Sequence, residues 1–249
     1  MKFNHVEYPE EMFPTLPMKY IGGKRHYQTP CGCFPSMTTV LSIRDGRGLE
    51  AWKNQVGPEV AKFVAGQAAI RGNGTHKILE DYLKNNDISI YEKNLLQMAL
   101  FKSAKPVFER INNIHLQELI LYSSQFRIAG RPDIIADFDE RLSVIDFKTS
   151  RRKKKEEWIE NYYLQETGYS IMWEERTSIP IEQIVTIISS EDGEVQTFVK
   201  KSSNFVKQLK VCVDEFYMQK TKDYSQMESK LCEIPLRKRR QSKSWRNKK

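Results

Sequence analysis

Residues 130–150, GRPDIIADFDERLSVIDFKTS, constrain the chain most, because they set charge inside two apolar runs. Ile134, Ile135, Ala136 and Phe138 read as one short strand. Leu142, Val144, Ile145 and Phe147 read as a second, joined to the first by the polar turn Asp139-Glu140-Arg141. Ionised groups in such runs are costly unless paired or bound to metal. Yet Asp133 opens the first strand, and Asp146 and Lys148 lie within and at the end of the second. Residues two apart on a strand share a face, so Asp146 and Lys148 project together, and a hairpin brings Asp133 beside them. Two carboxylates and a lysine at strand ends make a small hard-cation site with a positive neighbour. Mg2+ is typically held by one or two carboxylates, with waters and phosphate oxygens completing its octahedron. The lysine can then orient or activate water, or stabilise charge developing on a phosphate.

Pro132-Asp133 followed by Asp146-Phe147-Lys148 resembles the signature of the PD-(D/E)XK nuclease superfamily. The longer text is most similar to its RecB-like branch, the group of mitochondrial genome maintenance exonucleases and their phage relatives. The resemblance covers residues 35–173 and takes in His76 of RGNGTHKILE, Glu118 of LQELILY, and Gln165 and Tyr169 of QETGY. It implies that Asp133 and Asp146 bind Mg2+ or Mn2+, with Glu118, His76 and the Phe147 carbonyl as further ligands. Lys148 would position or activate the attacking water, and Gln165 and Tyr169 would line the site near the scissile strand. The implied activity is a metal-dependent exonuclease on single-stranded DNA ends or flaps, in replication, repair or recombination. The same residues also suit a structure-specific or restriction-type endonuclease, and the fold without the chemistry suits a non-catalytic nucleic-acid-binding module.

At 249 residues the chain fits one large domain with extensions. The divisions expected are an irregular arm over 1–34, a nuclease domain over 35–219 and a basic, disordered tail over 220–249. The tail holds eleven basic and three acidic residues, leaving twenty-nine of each elsewhere, so the whole net charge of +8 lies there. A basic tail on a neutral body suggests a phosphate-backbone partner. No apolar run approaches the ~20 residues of a membrane span. The opening MKFNHVEYPEEMFP carries three glutamates and no basic-then-apolar leader. Four cysteines, Cys31, Cys33, Cys212 and Cys232, make no disulfide framework and read as free thiols. They also lack the tight carboxyl-terminal group of the iron–sulfur RecB-like nucleases. The expectation is an intracellular protein, of a bacterial or phage-infected cytoplasm rather than a mitochondrion.

The remaining pattern predicts an α/β fold, a mixed central sheet flanked by helices, with a helical amino-terminal part. Ser and Thr in PSMTTVLSIRD can cap a helix through Val40 and Leu41. Residues 49–65 read as a helix burying Trp52, Val56, Val60 and Phe63, broken at Gly57-Pro58. Gly72 and Gly74 are expected to interrupt the next helix, with Thr75 capping a restart that presents His76 and Glu80 on one face. Arg71 is a candidate phosphate contact. A helix over 91–111 should kink or divide at Pro106, and 116–122 should be a strand interrupted by Glu118. The run Arg151, Arg152, Lys153, Lys154 and Lys155 begins three residues beyond Lys148 and reads as a DNA contact. A helix over 156–175 follows, with Trp158, Tyr162 and Tyr163 able to stack bases or to pack on the sheet. A hairpin around Asp192-Gly193 and a helix over 203–218 complete the pattern.

Overall fold

The structure, a computed structural model, describes residues 2–232, side chains at 45–49 and beyond 219 excepted. It divides into two units, Met1–Val213 and Asp214–Lys249. The basic tail that the composition singles out therefore lies outside the described side chains, as does Cys232; Cys31, Cys33 and Cys212 form no disulfide among the described residues. No described helix is long and apolar enough to cross a membrane.

Residues 1–34 are not an irregular arm throughout. Strands β1 (Met18–Ile21), β2 (Lys24–Thr29) and β3 (Gly32–Pro35) form an antiparallel sheet in that order. Gly22 and Gly23, both at positive φ, make the two-residue turn between β1 and β2. Helix α1 (Met37–Val56) starts at Ser36, whose Oγ accepts from the Thr39 N–H at 3.1 Å, as the capping pattern predicts. Gly57, at φ 85°, ends it, and Pro58 opens α2 (Pro58–Leu83) from the first position, where its missing N–H costs nothing.

Helix α2 runs unbroken through Gly72 and Gly74. Thr75 caps nothing; its hydroxyl is buried and donates to the Arg71 carbonyl. The glycines serve packing instead. A Cβ on Gly74 would lie 2.8 Å from Gln97 Cγ of α3 (Leu95–Phe108), so the helices meet there. The apolar face expected at the start of α2 is turned outward: Val60 and Phe63 are exposed. Pro106 falls in the last turn of α3, where little helix remains to kink.

β4 (Ile111–Gln117) ends before Glu118, which sits at φ 56°, and the chain then leaves for a separate small pair, β5 (Leu121–Ser123) and β6 (Ile128–Gly130). The expected strand over 116–122 is thus two strands in two sheets. Next come β7 (Ile134–Phe138), β8 (Arg141–Ser150), a 3-10 turn at Glu156–Trp158, α4 (Glu160–Thr177), β9 (Gln183–Ser190) and β10 (Val195–Lys201). The second unit continues α5 (Val206–Cys232), which begins in the first. The main sheet has the order β10-β9-β8-β7-β4, with β8 parallel to β9 and every other pair antiparallel. It is the expected mixed central sheet, with β8 in the middle.

Alternation divides its faces. Ile145 and Phe147 of β8 join Ile134, Phe138, Val185 and Ile187 in one core with Ile78, Phe101 and Phe108 from α2 and α3. Val144, Asp146 and Lys148 consequently face the other side, toward α4. The β7–β8 turn is tighter than the three residues expected, because Phe138 pairs directly with Arg141. Asp139 and Glu140 are left alone in it at φ 50° and 64°. Arg110 clamps the Asp139 carboxylate with two nitrogens, which holds the first of these residues in the left-handed region. Glu140 has no such clamp among the described contacts. Replacing it with glycine, which adopts positive φ without strain, should raise the melting temperature, by up to roughly 1 kcal/mol of stability. A drop in calorimetric melting temperature for Glu140→Gly would contradict this account of the turn.

Candidate active site

The main site is assembled where α2, β4, β7, β8 and α4 meet. Asp133, just before β7, accepts the Phe147 N–H at 2.9 Å, which fixes its carboxylate against β8. His76, in the second half of α2, brings Nδ1 to 3.4 Å from the same Asp133 oxygen, and its ring meets Phe147 edge-on at 5.5 Å. Glu118 reaches the group because its left-handed backbone turns the chain at the end of β4. Among the described residues, His76, Glu118 and Asp133 are a set of possible metal ligands, with ligand atoms all within 4.8 Å of one another.

Asp146 and Lys148 form an ion pair on the α4 side. Asp146 Oδ2, the oxygen that meets the ammonium, is fully buried. Gln165 Nε2 approaches Asp146 Oδ1 at 3.5 Å and donates to the Tyr169 hydroxyl at 3.1 Å. The Tyr162 ring lies 5.2 Å from Lys148 Nζ. Gly130 makes room for Tyr169, since a Cβ there would come within 2.5 Å of the ring. His76, Glu118, Asp133, Gln165 and Tyr169 open into a cleft of about 790 Å³, which Thr38 and Gly72 also line.

The electrostatics suit a cation. Burial alone would lift the Asp133 pKa, but His76, Lys148 and the Phe147 N–H reverse this and hold it at about 2. Burial pushes Asp146 up to about 6; Lys148 opposes the rise and the Asp133 charge adds to it. Glu118 is raised by burial and then by Asp133. Burial disfavours protonated His76, yet the Asp133 carboxylate outweighs it and the His76 pKa rises. Burial likewise works against charged Lys148, but Asp146 and Asp133 overcome it, so Lys148 remains an ammonium group. Asp133 repels both the Glu118 and the Asp146 carboxylates, and a divalent ion would relieve that repulsion.

A family model of the PD-(D/E)XK nuclease superfamily matches residues 53–234, well over half of the chain. The chain belongs to that superfamily. It is 28% identical over 160 residues to Mitochondrial genome maintenance exonuclease 1 of Xenopus tropicalis, across 61% of this chain and 46% of that protein. It is 24% identical over 155 residues to the protein of the same name from Homo sapiens, across 59% and 43%. The matched stretches take in less than half of either relative. The matched stretch contains Asp133, Asp146, Lys148 and the residues gathered around them.

The sequence-predicted residues fall into two groups. His76, Glu118, Asp133, Asp146, Phe147, Lys148, Gln165 and Tyr169 come together. The others do not. Arg71 is buried and spends its guanidinium on Glu191 and on the Thr149 hydroxyl, at 3.2 Å. The run from Arg151 to Lys155 leaves the far end of β8: Lys153 pairs with Glu194 at 3.7 Å, Lys155 with Glu157 at 3.8 Å, and Arg151 lines a separate hollow of about 410 Å³. Arg131, passed over in the sequence, pairs with Glu118 at 2.9 Å.

Glu166 is the larger omission. It is fully buried on α4 beneath Asp146, accepts from the Thr186 hydroxyl, and leaves Oε2 without a partner. Burial first, then the Asp146 charge, drives its pKa well above the usual range. No pattern marks it, because a carboxyl beside Gln165 reads as an ordinary helix surface residue. A carboxyl whose pKa is raised on folding lends its full stability below its unfolded value, about 4.3, and loses it as pH climbs through the folded value. Glu166→Gln should therefore show a flatter fall of melting temperature from pH 5 to pH 8 than the parent, with its largest relative gain at the alkaline end. Parallel melting curves would mean that Glu166 does not titrate in this range.

Proposed function

We propose that the protein is a deoxyribonuclease using Mg2+ or Mn2+ and trimming single-stranded DNA ends or flaps. The observation that carries the reading is the convergence of Asp133, Glu118 and His76 at the wall of an open cleft, with the Asp146–Lys148 ion pair near enough to act on the Asp133 charge. Asp133, Glu118 and His76 would hold the ion, with Asp146 and the Phe147 carbonyl beside it. When bound, such an ion supplies Lewis-acid polarisation of the scissile phosphate and a lowered pKa for water. The protein's own groups do the rest. Lys148, as an ammonium, donates to a water or to a phosphate oxygen and stabilises the charge that develops there. It has no lone pair in this state, so positioning, not proton abstraction, is its role. Gln165 holds the Asp146 carboxylate and the Tyr169 hydroxyl in register.

Exonuclease action draws support from the exonucleases named above, and the preference for single strands from the resemblance alone. Helices α1 and α2 support it too: Thr38, Ala68 and Gly72 form a wall above the carboxylates, which suits a flexible strand better than a duplex. The basic residues Arg151, Arg152, Lys153, Lys154 and Lys155 would engage the DNA backbone farther along. A role in DNA replication or repair follows from such a substrate.

Lys148→Met and Asp146→Asn should each lower cleavage by at least about 100-fold while still binding single-stranded DNA in EDTA. Near-parental cleavage by either would remove the assignment. Circular single-stranded DNA should resist the enzyme while its linearised form is consumed in Mg2+. Rapid loss of the intact circle would favour the endonuclease alternative.

A further inference from the structure

The β1–β2 hairpin is unlike a protected sheet edge. Every residue of β1 is exposed, and Met18, Tyr20 and Ile21 keep 51%, 66% and 49% of their surface. A free edge carrying apolar side chains invites a partner. Its charge restricts which. Residues 12–44 contain no Asp or Glu, whereas the hairpin carries Lys19, Lys24 and Arg25. A cationic edge with an aromatic ring suits a polyanion whose units offer flat faces.

The hairpin is also firmly held. Tyr27 and Phe34 pack with Leu16, Tyr122 and Ala129 under it, and the Ser36 N–H donates to the Arg25 carbonyl at 2.9 Å. Tyr20 and Arg25 are direct cross-strand partners, so they share a face of the ribbon. Arg25 donates to the Thr38 hydroxyl at 3.1 Å, and both residues line the catalytic cleft. Tyr20 therefore stands on the face of the ribbon that borders the cleft.

We propose that this hairpin is a single-strand-binding ridge of the nuclease, in which Tyr20 stacks on a nucleobase outside the cleft while Arg25, on the same face, contacts a flanking phosphate. The proposal rests on the deoxyribonuclease reading above and names where its strand runs. Base–aromatic stacking is sequence-tolerant, so the ridge grips any strand and fixes its distance from the carboxylates.

The test is binding of single-stranded oligonucleotides to the full chain in EDTA, for the parent, Tyr20→Ala and Tyr20→Trp. Tyr20→Ala should weaken binding by roughly 5- to 100-fold, and Tyr20→Trp should restore it. An oligonucleotide series with one abasic site moved along the strand should contain a position at which parent and Tyr20→Ala bind alike. Equal affinities for the intact strand, or a loss unaffected by the abasic position, would overturn the ridge. Cleavage in Mg2+ is scored separately. Cleavage without coupling between Tyr20 and a base removes the ridge alone. Coupling without cleavage keeps the ridge and removes the nuclease reading, and absence of all binding removes both.

Discussion

A lysine and an aspartate share one face of the central strand, and the remainder of the site is arranged around them. Asp146 is 1% exposed and Lys148 is its ion-pair partner. Either charge alone in such a place costs several kcal/mol, and their mutual attraction offsets that only in part. The remainder has to come from groups brought in by other elements. Gln165 approaches the carboxylate from α4, and the Tyr162 ring offers its face to the ammonium. Asp133 adds a third charge from the neighbouring strand, itself steadied by the Phe147 N–H. Because β8 lies between β7 and β9, neither backbone edge is free, and only its two faces remain for chemistry. One is taken largely by the apolar core with α2 and α3, so the partners that Asp146 and Lys148 find in α4 gather on the other.

The same division explains what could be read from the sequence. The alternation of Val144, Asp146 and Lys148 against Ile145 and Phe147 is local, and it survives intact in β8. So is the capping pattern at Ser36. What failed depended on neighbours distant in the chain. Gly72 and Gly74 look like breaks until Thr149 and Gln97 are seen lying against them. Glu118 looks like a strand residue because LQELILY is mostly apolar around it, yet a left-handed backbone turns the chain there and Leu116 and Leu121 on either side belong to different sheets. Glu166 gives no signal, since its burial is decided by β9. Arg71, Lys153 and Lys155 have acidic partners, Glu191, Glu194 and Glu157, that are visible only in three dimensions. The β1–β2 hairpin was overlooked because a strand exposed on both faces carries no apolar period.

Gly74 bears on the site through dimension rather than chemistry. Its missing side chain lets α2 ride against Gln97 of α3, where an added carbon would come to 2.8 Å. His76 stands two residues farther along that rigid rod, held to 3.4 Å from the Asp133 carboxylate. Coordination tolerates errors of only about 0.2 Å in ligand position, and a helix transmits displacement along its length almost undiminished. The separation of two helices at a glycine thus acts as a gauge block for the candidate metal site, so a methyl group far from the carboxylates would shift the histidine relative to Asp133.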